Sequence, residues 1–134
     1  MRPELRRVGS SQSPVVVIDE FSGDIEAVAS LADALGPFPL NRGNYYPGVR
    51  RTITEADAAA FAYMRNLCQV SAQFIAGAFG FDHFRLLSGS FSIVTTEPAR
   101  LIAPQRFPHF DSTDPKYLAL LHYVRVPANS GTAF

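Results

Sequence analysis

Apolar positions along the chain recur with three different periods. Val15-Val16-Val17-Ile18 is an unbroken β-branched run entered through Pro14 and left through Asp19-Glu20, which predicts a strand buried on both faces. Ile25, Val28, Ala29, Ala32 and Leu35 then fall at helical steps, with Ser22 or Asp24 as cap and Gly36-Pro37 as the stop. A longer stripe of Phe61, Met64, Cys68, Ser71, Ala72, Ile75 and Phe79 marks a second helix, opened by a capping-box pair, Thr54 and Asp57, and closed at Gly80. From Leu86 to Thr95 the period drops to two. Leu87, Phe91 and Ile93 oppose Ser88, Ser90 and Ser92, an antiparallel strand whose serine face looks either into water or into a polar pocket.

Between these elements the pattern breaks in three places. From Phe38 to Arg51, the turn-formers Pro39, Gly43, Pro47 and Gly48 are interleaved with Asn41, Asn44, Tyr45, Tyr46, Arg50 and Arg51, which predicts a long structured loop. Tyr hydroxyls and an Arg fork suit recognition of a carboxylate, while the plainer reading has the Tyr pair packed and the Arg pair solvated. Pro98, Pro104 and Pro108 imply an edge or irregular strand. After Asp114-Pro115, the residues from Tyr117 to Val124 fit helical and strand spacing equally well, and Pro127 to Gly131 turns the chain. At the other end, Ser10 to Ser13 reads as a polar linker, so residues 1–13 are expected to form a mobile tail before a single domain over 14–134.

Composition narrows the classes. With 47% apolar and 18% charged residues, eleven Phe and five Tyr, the chain is globular with an aromatic-rich core. Twelve basic residues balance twelve acidic ones, which leaves no field for a nucleic-acid backbone or an anionic membrane. Cys68 has no partner for a disulfide or a thiolate zinc site, and it belongs to the apolar stripe of its helix. The run Val15 to Ile18 is too short for a signal-peptide core or a membrane span, so a reducing cytoplasm is expected.

Chemistry concentrates at Pro108-His109-Phe110-Asp111-Ser112-Thr113-Asp114-Pro115, which holds the chain's H-x-D pair. Residues two apart on an extended strand project to one side, so His109 and Asp111 could present a nitrogen and a carboxylate oxygen to one point. Such a pair supplies two of the three ligands of the facial triad that holds non-haem Fe(II). His83 sits in a turn beside Asp82 and reads as a surface or capping residue. A hydrolase is disfavoured, because there is no G-x-S-x-G elbow.

Four stretches in order carry a resemblance: Val15 to Asp19, Asn44-Tyr45-Tyr46-Pro47-Gly48-Val49-Arg50, Gln105 to Asp111, and Leu120-Leu121-His122-Tyr123 with Gly131 to Phe134. Together they resemble the 2-oxoglutarate/Fe(II)-dependent oxygenases, in particular a prolyl-hydroxylase-like bacterial branch. The resemblance implies an α+β fold, with two N-terminal helices packed on an antiparallel sheet that forms part of a double-stranded β-helix, or jelly roll. It tips Leu118 to Val124 toward strand. It implies Fe(II) and 2-oxoglutarate as cofactors, His109 and Asp111 as iron ligands, and hydroxylation of a small-molecule or peptide substrate. Ser112 or Thr113 is expected to orient the Asp111 carboxylate, and Tyr45, Tyr46, Arg50 and Arg106 to line the substrate or co-substrate pocket.

The family also needs a second His several strands later and then an Arg or Lys for 2-oxoglutarate. His122 and Arg125 come too early for those positions, so His122 is expected to be packed or hydrogen-bonded and Arg125 stays unassigned. The C-terminal part of the jelly roll is therefore expected to be missing, and copies of the chain to associate through an exposed sheet edge. The alternative function is a non-catalytic binding or interaction module with an oxygenase-derived fold.

Overall fold

The computed structural model describes residues 1–40, 45–128 and 130–132. Asn41 and Asn44 of the predicted loop, and Phe134, lie outside the described residues. Strands β1 (Arg2–Val8) and β2 (Ser13–Asp19) form an antiparallel hairpin, with Arg2 opposite Asp19 and Val8 opposite Ser13. Its turn uses the left-handed backbone of Gly9 (φ 67°), and the Gln12 backbone N–H and side-chain Nε2 both donate to the Gly9 carbonyl.

The hairpin corrects two expectations. Residues 1–13 are not a bare tail, because Arg2–Val8 supplies the backbone partners that the β-branched run needs. Nor is β2 buried on both faces: Val15 to Ile18 are half-buried, in a two-stranded sheet beside the long helix.

Helix α1 (Ile25–Asp33) starts where expected, with Asp24 accepting a hydrogen bond from the Ala27 N–H at 3.0 Å. It ends two residues before Leu35, where the N–H groups of Leu35 and Gly36 reach back only three residues, to Ala32 and Asp33. Helix α2 (Ala58–Phe79) begins after Asp57 and not at Thr54, because the Asp57 carboxylate turns back to take the Thr54 N–H (2.8 Å) and hydroxyl (3.0 Å). Arg51 Nη2 donates to the other carboxylate oxygen at 2.9 Å. Gly80, at φ 72°, closes α2 as its position predicts.

Strands β3 (Gly48–Thr52) and β4 (Ser90–Val94) pair antiparallel, with Arg50 opposite Ser92, and the Ile53 N–H extends the ladder to the Gly89 carbonyl at 2.9 Å. The alternating run therefore yields a strand shorter than Leu86 to Thr95. Gly48 is required here, since a Cβ on it would stand 1.9 Å from the Ile93 carbonyl oxygen. Behind this sheet lies the core of Ile53, Ala60 and Met64, with Leu35, Phe61 and Phe91 packed against it. Val28 and Ala29 of α1 are also buried.

Beyond β4 come a 3-10 turn (Pro98–Arg100) and the short helix α3 (Ala103–Arg106), and Leu118 to Val124 form neither helix nor strand. The α+β class holds, with three α-helices and two antiparallel two-stranded sheets among the described residues. Those sheets are separate, so no jelly roll is formed among them. The accessible surface is 10300 Å², against roughly 6,900 Å² for a compact monomer of this mass. Leu87, Phe107, Phe110 and Leu121, each more than half exposed, contribute to the excess.

Candidate functional site

The segment that carries the H-x-D pair is shaped by its own backbone bonds. Gln105 Oε1 accepts from the Ile102 N–H at 2.9 Å and starts α3, and Arg106 Nε donates to the Leu101 carbonyl at 3.0 Å, folding the guanidinium back over the 3-10 turn. Downstream, Ser112 Oγ accepts from the Asp114 N–H (3.1 Å) and Asp114 Oδ1 from the Lys116 N–H (2.9 Å), two side-chain turns that close the segment.

Between these two anchors His109 Nε2 and Asp111 Oδ1 face each other at 3.6 Å, with side chains 79% and 60% exposed. Metal bonds to imidazole and carboxylate run about 2.0–2.2 Å, so a cation touching both atoms would subtend an angle of roughly 110–130° at this separation. A cis-octahedral pair needs about 3.0 Å between donors, which rotation of two exposed side chains can supply. The pair thus fits a divalent cation. Among the described residues, no group of three or more His, Cys, Asp and Glu side chains could hold one.

His109 and Asp111 line a cleft of about 410 Å³ together with Tyr45, Tyr46 and Arg50. Five sequence-predicted site residues from two distant stretches are thereby brought together. Arg50 is itself positioned: Nε donates to Ser92 Oγ at 3.0 Å, and the guanidinium carbon lies 4.2 Å from the centre of the Tyr46 ring. The serine face of β4 therefore meets a charged side chain and not bulk water alone. Pro47, Pro104 and Gln105 complete the cleft. The sequence marks Pro47 and Pro104 as turn and strand breakers and Gln105 as part of a resembling stretch, but none of them as a site residue.

Three expected site residues are not among those that line the cleft. Arg106 is one of them, and its Nε and Nη2 donate to the carbonyls of Leu101, Pro98 and Ala99. Ser112 and Thr113 make no hydrogen bond to the Asp111 carboxylate among the described residues, and the Ser112 hydroxyl serves the Asp114 turn instead.

His122 behaves as expected and sits elsewhere. Its Nε2 contacts Ser22 Oγ at 3.1 Å and its Nδ1 contacts the Tyr63 hydroxyl, with the Phe21 ring edge-on at 5.7 Å. Burial holds the His122 pKa below its ordinary value and pushes that of Tyr63 up to about 12. With both ring nitrogens engaged by hydroxyls, His122 has none to offer a metal. Arg125 Nη2 binds Glu26 at 2.5 Å, so the two residues together fasten the C-terminal stretch to α1 and α2. Burial also raises the Cys68 thiol pKa, which suits a packing role and not a nucleophile.

A second cleft of about 240 Å³, between the β1–β2 hairpin and α2, has apolar walls at Leu5, Val16 and Phe74. Glu4 is the single ionisable residue that lines it among the described residues.

The model of the family described as "Family of unknown function (DUF6445)" matches residues 1–134. The chain belongs to the DUF6445 family. No curated protein and no solved structure matches it. In this DUF6445 chain, no helix among the described residues is long and apolar enough to cross a membrane. The chemistry open to the DUF6445 site is that of one imidazole and one carboxylate beside a guanidinium and two phenols.

Proposed function

We propose that the chain is a 2-oxoglutarate/Fe(II)-dependent dioxygenase, or the ligand-bearing N-terminal part of one, that hydroxylates a C–H bond. The observation that carries this reading is the 3.6 Å approach of His109 Nε2 and Asp111 Oδ1 in a cleft shared with Arg50, Tyr45 and Tyr46. His109 offers a neutral nitrogen and Asp111 a negative oxygen, a donor set that suits Fe(II) and leaves further positions open. Iron, when bound there, would couple oxidative decarboxylation of 2-oxoglutarate to hydroxylation.

The chain's own residues do the rest. Arg50, fixed by Ser92 and Tyr46, supplies positive charge for a carboxylate, and the faces of Tyr46, Pro47 and Pro104 shield one wall of the cleft from water. Strands β3 and β4, in this reading, are part of one wall of the jelly roll. Their outer edges and the exposed Leu87, Phe107 and Phe110 support association with another copy of the chain.

The count of two donors among the described residues favours a second reading, a non-catalytic binding module. His109→Ala discriminates, since a module loses partner binding with no dependence on metal. The direct test is an anaerobic titration with Fe(II) and 2-oxoglutarate, followed in the visible region. The oxygenase reading expects a weak charge-transfer band that vanishes in His109→Ala and Asp111→Ala, and no band in the wild-type chain refutes it.

A further inference from the structure

Arg50 differs from its neighbour in what holds it. Arg51 is paired with the Asp57 carboxylate, whereas Arg50 touches a hydroxyl through Nε and an aromatic face through its plane. Among the described residues it makes no ion pair and no other hydrogen bond, so the Nη1 and Nη2 donors remain for a ligand. Asp111 lines the same cleft without coming within ion-pair distance of it. A guanidinium whose Nε edge and one face are already fixed presents its two Nη groups in a set direction, the geometry that binds a carboxylate through two parallel hydrogen bonds.

We infer that Arg50 anchors the carboxylate of an organic-acid substrate whose apolar body lies along Tyr46 and Pro104 toward His109 and Asp111. A cleft of about 410 Å³ accommodates a small molecule. Its mixture of phenol rings, proline rings and a guanidinium without an ion-pair partner among the described residues selects an acid with an apolar or aromatic body over a sugar or a cation. The role of that acid as substrate rests on the oxygenase reading. The anchor itself rests on Arg50 alone.

The test uses the full chain, freed of metal, with phenylacetate and its neutral isostere phenylacetamide as probes in ligand-observed NMR. Phenylacetate is expected to bind roughly tenfold or more tightly than the amide, a preference that Arg50→Gln abolishes. Ser92→Ala, which keeps the charge but frees Nε, is expected to weaken phenylacetate a few-fold, with circular dichroism unchanged in both variants. Equal binding of acid and amide, no binding of either, or full phenylacetate affinity in Arg50→Gln overturns the inference. Saturating 2-oxoglutarate separates the two sources of carboxylate. Phenylacetate that stays bound supports a substrate anchor, and displacement that depends on Arg50 gives the anchor to the co-substrate and overturns it.

A Mn(II) arm keeps this inference apart from the oxygenase reading. Mn(II) relaxation of bound phenylacetate that is lost in His109→Ala supports both. If the acid preference persists without any Mn(II) effect, the carboxylate anchor stands and the oxygenase reading fails. A Mn(II) site at His109 without an acid preference refutes the anchor alone.

Discussion

Helix α2 buries Ala60, Met64 and Ser71, whereas the segment from Pro98 to Asp114 buries no residue and leaves Leu101, Gln105 and Ser112 half-covered at most. The first region is positioned by packing, a strand ladder and a left-handed glycine. The second is positioned by side chains bonded to nearby backbone groups, which set its turns but not the reach of His109 and Asp111. Arg50 belongs to the first region and the two donors to the second, so the cleft joins a fixed wall to a pliable one. A metal that bridges the donors would add the order that packing does not.

This difference is broken most severely through the packed region. Met64→Ala is expected to cost about 2–4 kcal/mol in urea unfolding, because Met64 is buried with Ile53 and Ala60 in the small core. A loss within a few tenths of a kcal/mol would show that the packed region is not what holds the fold. Gly48→Ala is expected to cost about 1–3 kcal/mol, since the neighbouring backbone must move to admit the methyl group, and to raise amide exchange in β3 and β4. Protection equal to wild type in both strands would contradict the contact.

The Asp57 carboxyl is held below its ordinary pKa by the Thr54 N–H first, then the Thr54 hydroxyl and the nearby Arg51 guanidinium. A carboxyl lowered on folding stabilises the fold above its unfolded pKa of about 3.8. That contribution fades as pH falls through the lower folded value. Urea midpoints between pH 6 and pH 3 should therefore fall less steeply in Asp57→Asn than in wild type, and parallel curves would remove the effect. Arg125→Ala is expected to lower the urea midpoint only slightly, and less in high salt, because Arg125 and Glu26 are both largely exposed. Smallest of all is His109→Ala, expected within about 0.5 kcal/mol of wild type without metal, since its ring stands in solvent.

What could be read from sequence follows the same division. The two long helices, the Asp24 cap, the Gly80 stop and the β4 alternation are local signals, and the chain obeys them. Strand β1 was hidden because Arg2 to Val8 carries a proline and alternates charge with few β-branched residues, so only its distant pairing with β2 makes it a strand. Leu118 to Val124 matched two periods and adopts neither, being pinned by His122 to residues 59 and 100 positions away.

At the site, His109, Asp111, Tyr45, Tyr46 and Arg50 were legible as chemistry. The resemblance, and no local pattern, set them at one pocket, and the cleft that brings them together depends on how the stretch from Pro104 to Asp111 approaches Arg50. Arg106 and Ser112 are drawn into local bonds for one physical reason: unpaired carbonyls and N–H groups of short turns compete for nearby polar side chains. Pro47, Pro104 and Gln105 shape the cleft without reactive groups, and residue type alone cannot announce that.

The central claim is that His109 and Asp111 form the metal site, and the chain's three histidines make it directly testable. Substoichiometric Mn(II) added to the protein should broaden the imidazole proton resonances of His109 ahead of those of His83 and His122, and Asp111→Ala should remove that selectivity. Equal broadening of all three rings, or selective loss of His83 or His122, would contradict it.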